Sequence, residues 1–262
     1  MIYVATFKLK ADHDVVLPPF TSKVSKSILA YYSPTYAKLS EDPKPFKPIR
    51  VTVLKDSKGP VLAVNGRKAI MKGGEDYYFS FTFMDNNILK DLMGKVNAEV
   101  EMWGAKIEAD IIDLKVIDEV KYEDSSFYKV NFLTPTLIQP PKKVKENRFL
   151  LYPYSYFFLA SIIRHWNANM DKKVNVTFLK SFLYLKEVDH GIKPVTANYD
   201  GKPVRGFWGW IIYEVGEKKV KELLSYANLF GVGKSRAIGF GEVKVTPVSF
   251  GKGPQVAENS KG

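Results

Sequence analysis

The chain has 262 residues, of which 39 are Lys or Arg and 28 are Asp or Glu, so its formal net charge is +11. Its 45% hydrophobic and 26% charged residues are typical of a folded globular protein. With no cysteine, the sequence excludes disulfides, Cys-based zinc sites, iron–sulfur clusters and thiol catalysis. Three histidines leave little for a His-rich metal site.

Hydrophobic periodicity and turn signals predict the same order of elements in both halves of the chain. For the first half, these signals predict, in chain order, a strand at 2–9, a helix at 21–32, a loop from Pro34 through 43–48, strands at 49–55 and 77–84, a helix at 86–93, and strands at 97–103 and 107–118. For the second half, they predict a strand at 127–134, a helix at 154–168, strands at 174–186 and 205–214, a helix at 217–229 and a last strand at 241–248.

Each half is therefore written β-α-β-β-α-β, the order of a ferredoxin-like unit with two helices on one face of an antiparallel sheet. We predict an α+β protein of two tandem ferredoxin-like domains, residues 1–122 and 123–250, with a flexible tail at 251–262. The N-terminus alternates like a strand instead of resembling a secretory signal, and the longest uncharged run, 149–163, is too short to cross a bilayer. We expect a soluble cytoplasmic protein with no membrane partner.

The positive charge is concentrated in two blocks. Residues 1–72 carry a net +8, residues 73–131 a net −7 and residues 132–262 a net +10. Such segregation indicates that the basic blocks face an anion, and nucleic acid is the commonest large anion for a basic protein of this kind. A solvated basic surface without a partner is the alternative.

The most specific motif is a glycine-rich segment, 231–241, between the last helix and the last strand. It is not a P-loop, because Asn228 stands where the first glycine belongs and a helix, not a strand, precedes it. It is not a Rossmann fingerprint either, because Arg236 occupies a required glycine position. Glycines that only cap a helix and turn a hairpin remain an alternative. Four glycines interleaved with Lys234, Ser235 and Arg236 favour a loop that binds a polyanion.

Several motifs, together spanning nearly the whole chain, resemble one family. Four segments resemble the CRISPR repeat-RNA processing endoribonucleases of the repeat-associated (RAMP) superfamily. They are the pattern G-h-G-x5-G-h-G at 231–241, the segment 17–29 that opens the first helix, the segment 132–136 in the first strand of the second unit and the glycine-containing strand at 204–210. The resemblance implies a metal-independent reaction without cofactor. In that reaction a ribose 2′-hydroxyl attacks the adjacent phosphate within the repeat, giving 2′,3′-cyclic phosphate and 5′-hydroxyl ends.

Many members of that family use a histidine near the first helix, but residues 20–55 contain none. The chain instead resembles crenarchaeal members that lack this histidine and cut with a lysine cluster. By position, the resemblance implies that the catalytic residues are Lys23, Lys26, Lys47 and Arg236. The residues expected to bind RNA are Arg50, Arg205, Gly231, Gly233, Lys234, Ser235, Gly239 and Gly241. We interpret His13, His165 and His190 as structural, and expect no metal site.

Two functions within CRISPR remain open, beside a general basic RNA-binding protein outside CRISPR. The first is the endoribonuclease, whose partner is CRISPR repeat RNA. The second, motivated by the missing histidine, is a non-catalytic RNA-binding RAMP subunit of a CRISPR interference complex. Other CRISPR-associated subunits and a second copy of the chain are further candidate partners.

Overall fold

The computed structural model describes residues 1–64, 68–95, 97–139 and 148–249. The predicted tail at 251–262 lies outside these residues. In the first half the elements are β1 (Ile2–Ala11), β2 (Val15–Val16), α1 (Ser22–Tyr32), α2 (Pro34–Glu41), β3 (Ile49–Val51), β4 (Lys55–Asp56), β5 (Gly59–Pro60), β6 (Ile70–Met71), β7 (Asp76–Phe83), α3 (Asn86–Met93), β8 (Asn97–Met102) and β9 (Ala105–Ile117).

The first sheet has β1 in its middle, between β9 and β7, and all the pairings are antiparallel. Strand β8 extends one edge beyond β9, while β3 and β4 pair with β7 towards the other edge. Alternate residues of β1, among them Phe7, point into the core, where Phe7 stacks on Phe79 at 4.6 Å. The acidic hairpin β8–β9 therefore lies at the opposite edge from β3.

In the second half the elements are β10 (Phe127–Thr136), α4 (Ser155–Asn169), α5 (Phe178–Tyr184), β11 (Leu185–Tyr199), β12 (Lys202–Val215), α6 (Lys218–Phe230), a 3₁₀ turn (Arg236–Ile238) and β13 (Val243–Pro247). The strand order is β11-β12-β10-β13, antiparallel throughout. With β10 central and β13 beside it, this is the ferredoxin-like arrangement, as is β9-β1-β7-β3 in the first half. The fold class predicted from the sequence is confirmed.

Two predicted segments are wrong. The stretch after Tyr32 was expected to be a loop, but Ser33 caps helix α2 by accepting a hydrogen bond from the Tyr36 amide at 2.9 Å, with Pro34 at the first helical position. Residues 174–186 were expected to form a strand, but 178–184 form helix α5, capped by Thr177. The apolar residues of α5 recur at helical spacing, and the alternation at 174–178 masked that period.

Each half has its own main hydrophobic core. A third, smaller cluster contains Phe20, Val53, Leu137, Ala197 and Phe240, and joins the start of α1 to the glycine-rich segment. The predicted domain boundary after residue 122 falls between β9 and β10 and stays a prediction. Among the described residues, no helix is both long enough and apolar enough to cross a membrane.

Candidate active site

A basic cleft of about 350 Å³ opens where α1, the segment before β3 and the segment after α6 meet. Its basic lining residues are Lys26, Lys44, Lys47, Lys234 and Arg236. None of the described residues that line it is acidic. Cations distant in sequence thus share one concave surface, as expected for a site that binds a polyanion.

Helix α1 is fixed at its N-terminus by the glycine-rich loop (residues 231–241). The Ser22 hydroxyl donates a hydrogen bond of 2.7 Å to the Ile238 carbonyl, and the Phe20 ring stacks on Phe240 at 4.3 Å. Lys23 and Lys26, three residues apart, share one helix face. These contacts set the distance between the lysines of α1 and the loop.

Lys26 and Lys47 both lie in an environment that favours loss of a proton. Burial lowers the pKa of Lys26, and the charges of Lys47 and Lys23 lower it further, while Asp200 opposes them. Burial also lowers the pKa of Lys47, against the influence of Asp42. Each amine therefore releases a proton more readily than a solvated lysine does.

Lys23 is about one third exposed and forms an ion pair with Asp200, at the turn between β11 and β12. It does not line the cleft with Lys26. Arg205 is exposed on β12 and is also outside the cleft lining. Of the predicted catalytic lysines, the structure brings Lys26 and Lys47 together and places Lys23 beside them.

The glycines of the loop allow close packing of backbone on backbone. Gly231, Gly233, Gly239 and Gly241 have φ values between 67° and 91°, which a residue with a Cβ rarely adopts. A Cβ on Gly233 would stand 2.5 Å from the Leu137 carbonyl oxygen. The loop therefore needs glycine to fit against β10 and α1.

The loop amides donate mainly to the protein itself. Lys234 N–H bonds to the Leu137 carbonyl at 2.8 Å, Gly241 N–H to the Pro135 carbonyl at 3.0 Å, and Gly233 N–H to the Ser161 hydroxyl at 3.2 Å. These three amides are therefore occupied by protein acceptors, and the binding of RNA by Gly233 and Gly241 stays a prediction. The loop instead presents the exposed side chains of Lys234 and Ser235.

Arg236 lies beneath the cleft, 5% exposed. Its Nε donates to the Gly233 carbonyl at 2.9 Å and its Nη2 to the Ser161 carbonyl at 2.5 Å, while Nη1 is buried without a hydrogen-bond partner. Burial lowers the Arg236 pKa to about 10, with Arg50 acting in the same direction. Its two hydrogen bonds join the glycine-rich loop to α4.

Arg50 is buried outside the cleft lining and links the two halves of the chain. Its guanidinium pairs with Glu242 at 2.9 Å and donates to the Asn228 and Leu229 carbonyls at the end of α6. Lys55 pairs with the same Glu242 oxygen. Arg50 was predicted to bind RNA, but its hydrogen bonds go to the base of the glycine-rich loop.

Sequence reasoning missed two groups of residues at this site. One is Lys44, a cleft residue in the proline-rich segment that reads as an ordinary loop. The other is the polar face of α4, where His165 is 2% exposed and contacts the Lys47 carbonyl at 2.9 Å. Polar residues recurring every fourth position in an apolar helix are the signal that would have identified it.

Two ferredoxin-like units with a basic cleft beside a glycine-rich loop define a protein of the class that binds polyanions. Two family models match the chain, one described as the Cas6 N-terminal domain over residues 3–117 and one as CRISPR-associated endoribonuclease Cas6 over residues 130–243. The chain belongs to the Cas6 family of CRISPR-associated endoribonucleases.

Known proteins agree with this assignment over nearly the full length. CRISPR-associated endoribonucleases Cas6 1 and Cas6 2 of Saccharolobus solfataricus are 24% and 25% identical to the chain, each over 94% of it and 96% of the relative. A Cas6 product complex matches with a TM-score of 0.67 at 17% identity, covering 94% of this chain and all of that one. Thermus thermophilus Cas6 matches with a TM-score of 0.65 at 15% identity, over 94% and 98% of the two chains.

Proposed function

We propose that this protein cuts CRISPR precursor RNA within the repeat, without a metal ion, by attack of a ribose 2′-hydroxyl on the adjacent phosphate. The products are a 2′,3′-cyclic phosphate and a 5′-hydroxyl end. The observation that carries the proposal is the convergence of Lys26, Lys47 and Lys234, from three segments, on one cleft with no acidic residue among its described lining.

In-line attack at phosphorus concentrates negative charge on the non-bridging oxygens and on the leaving 5′-oxygen. The uncharged amine of one cleft lysine accepts the proton that the 2′-hydroxyl loses, and cations positioned in advance stabilise the charge at phosphorus. The protonated amine of the other lysine delivers a proton to the leaving oxygen, which completes the bond cleavage. The lowered pKa of Lys47 and Lys26 suits this proton transfer, since a weaker acid would hold its proton too tightly. We assign these two lysines to the reacting phosphate.

The other predicted residues have supporting roles in this proposal. Lys234 and Ser235 contact the RNA backbone from the exposed tip of the loop. Lys23 exchanges Asp200 for a phosphate when RNA binds. Arg50 holds the loop from below through its hydrogen bonds to the Asn228 and Leu229 carbonyls. Arg236 holds the loop through Nε and Nη2, while its charge and its unpartnered Nη1 serve the cleft that it lines.

The assignment of the lysines is tested by Lys26→Ala, Lys47→Ala and the double variant, each assayed for binding and for single-turnover cleavage of labelled repeat RNA. Lys106→Ala, on β9 in the acidic hairpin, is the matched control. We expect the double variant to lose cleavage by a factor of about 1,000 or more while binding weakens about tenfold or less. Wild type that binds the repeat but never cuts it would instead identify a non-catalytic RNA-binding subunit.

A further inference from the structure

Three polar side chains form a stripe along one face of α4. Ser161, His165 and Asn169 follow each other at intervals of four residues, so they lie one above the other on the helix. The neighbouring residues Phe158, Ile162 and Trp166 are buried in the hydrophobic core of the second half. The stripe faces two of the three segments that build the cleft, the segment before β3 and the glycine-rich loop.

Each member of the stripe contacts one of these segments. The Ser161 hydroxyl accepts from the Gly233 amide at 3.2 Å, in the glycine-rich loop. The His165 Nε2 lies 2.9 Å from the Lys47 carbonyl oxygen, and the Asn169 amide donates to the Phe46 carbonyl at 3.0 Å. A helix of the second half thus holds two consecutive carbonyls of a segment from the first half.

The hydrogen bonds of His165 fix its tautomer. The Lys47 carbonyl can only accept, so Nε2 must carry the proton, and Nδ1 then accepts from the Tyr226 hydroxyl at 2.7 Å. Burial, assisted by the nearby charge of Arg236, lowers the His165 pKa to about 3. The ring is therefore neutral near pH 7 and acts as a fixed donor.

The segment around Lys47, which His165 contacts, depends on surrounding contacts for its backbone conformation. Phe46 is a non-glycine residue with φ of 57°, a backbone conformation that surrounding contacts must maintain. Lys47 follows it, and its Nζ donates to the Ser40 carbonyl at 2.7 Å. Loss of the carbonyl contacts would let the segment relax and displace the Lys47 amine.

We propose that His165 is a positioning residue for RNA cleavage, which acts by holding the Lys47 carbonyl and thereby fixing the Lys47 amine opposite α1 and the glycine-rich loop. The inference rests on the proposed function, in which Lys47 serves the reacting phosphate. His165 itself takes no part in proton transfer to the RNA. A displacement of about 1 Å at a reacting group costs roughly a hundredfold in rate.

The test compares His165→Gln with His165→Asn. The Gln side chain places a donor nitrogen at the position of the His165 Nε2. The Asn side chain is shorter, so it reaches the Tyr226 hydroxyl but not the Lys47 carbonyl. We expect His165→Gln to cut within about threefold of wild type and His165→Asn to cut about 10- to 100-fold more slowly, with RNA affinity changed less than about threefold in both. Equal rates in the two variants, or parallel loss of binding and cleavage, would overturn the proposal.

Hydrogen–deuterium exchange of the peptide covering 44–50 gives a readout that does not depend on activity. This peptide should exchange faster in His165→Asn than in His165→Gln. Asn169→Ala, at a less buried contact, should also speed the exchange of this peptide and slow RNA cleavage. It replaces His165→Asn in the test if that variant does not fold. Unchanged exchange in both His165→Asn and Asn169→Ala would contradict the positioning role.

A double variant separates this proposal from the one it rests on. If His165 acts through Lys47, adding His165→Asn to Lys47→Ala should slow cleavage no further. If Lys47→Ala alone cuts at the wild-type rate, the catalytic assignment of Lys47 fails. The exchange measurement then still decides whether His165 holds the segment.

Discussion

The buried, neutral His165 should make the fold sensitive to acid in a way that one substitution can isolate. Its pKa is lowered to about 3 in the folded chain, from an ordinary value of 6.5. The unfolded chain therefore takes up the proton first, and folding stability is lost as the pH falls from 6.5 towards 3.

The size of the effect follows from these two values. At pH 7.5 the imidazole is neutral in both states and contributes almost nothing. At pH 5 it is mostly protonated only when unfolded, which lowers the free energy of unfolding by about 2 kcal/mol. His165→Gln removes the titrating group and keeps a donor for the Lys47 carbonyl.

Urea unfolding of wild type and His165→Gln at pH 7.5 and pH 5 measures this difference directly. The carboxylates and the other two histidines titrate equally in both proteins, so their effects cancel in the comparison. Wild type should lose about 2 kcal/mol more than the variant between the two pH values. Identical losses in the two proteins would show instead that His165 takes up a proton equally well in the folded state.

Three further predictions concern the loop and the cleft. Glu242→Gln should destabilise the fold by about 3 to 5 kcal/mol in urea unfolding, because it leaves Arg50 buried without its counter-charge, whereas Glu99→Gln in an exposed pair should cost about 1 kcal/mol or less. Gly241→Ala should abolish cleavage, since a Cβ there collides with the Val232 carbonyl, while Gly216→Ala in open space should behave like wild type. A plot of the logarithm of the RNA association constant against the logarithm of the salt concentration should have a slope of about −3 if each of the four cleft lysines neutralises one phosphate. A slope near zero would show that these lysines do not contact phosphates.

Most of the fold follows from local signals in the sequence. The helix predicted at 86–93 has the observed bounds, with Asp85 accepting from the Asn87 amide as its cap. The periodic pattern of α6 also predicts that helix to within one residue at each end. Helices α2 and α5 were missed because proline reads as a loop signal and because short apolar runs are ambiguous between strand and helix.

The site is harder to predict because it is assembled by tertiary contacts. The motifs quoted for the family resemblance meet at the glycine-rich loop, where Thr134 donates to the Gly239 carbonyl at 2.9 Å and Ser22 to the Ile238 carbonyl. Charge alone could not separate Arg50, which is buried in protein contacts outside the cleft, from Lys47 and Lys26, which line the cleft. Burial of a cation depends on neighbours far away in sequence.

The central claim is that the lysine cleft cuts RNA with the ribose hydroxyl as nucleophile and without metal. The direct test is cleavage of end-labelled repeat RNA in EDTA, with and without a 2′-deoxy sugar at the scissile nucleotide, followed by analysis of the product ends. We expect cutting in EDTA, a 2′,3′-cyclic phosphate with a 5′-hydroxyl, and no cutting of the deoxy substrate. Cutting that stops in EDTA, or that continues on the deoxy substrate, would contradict it.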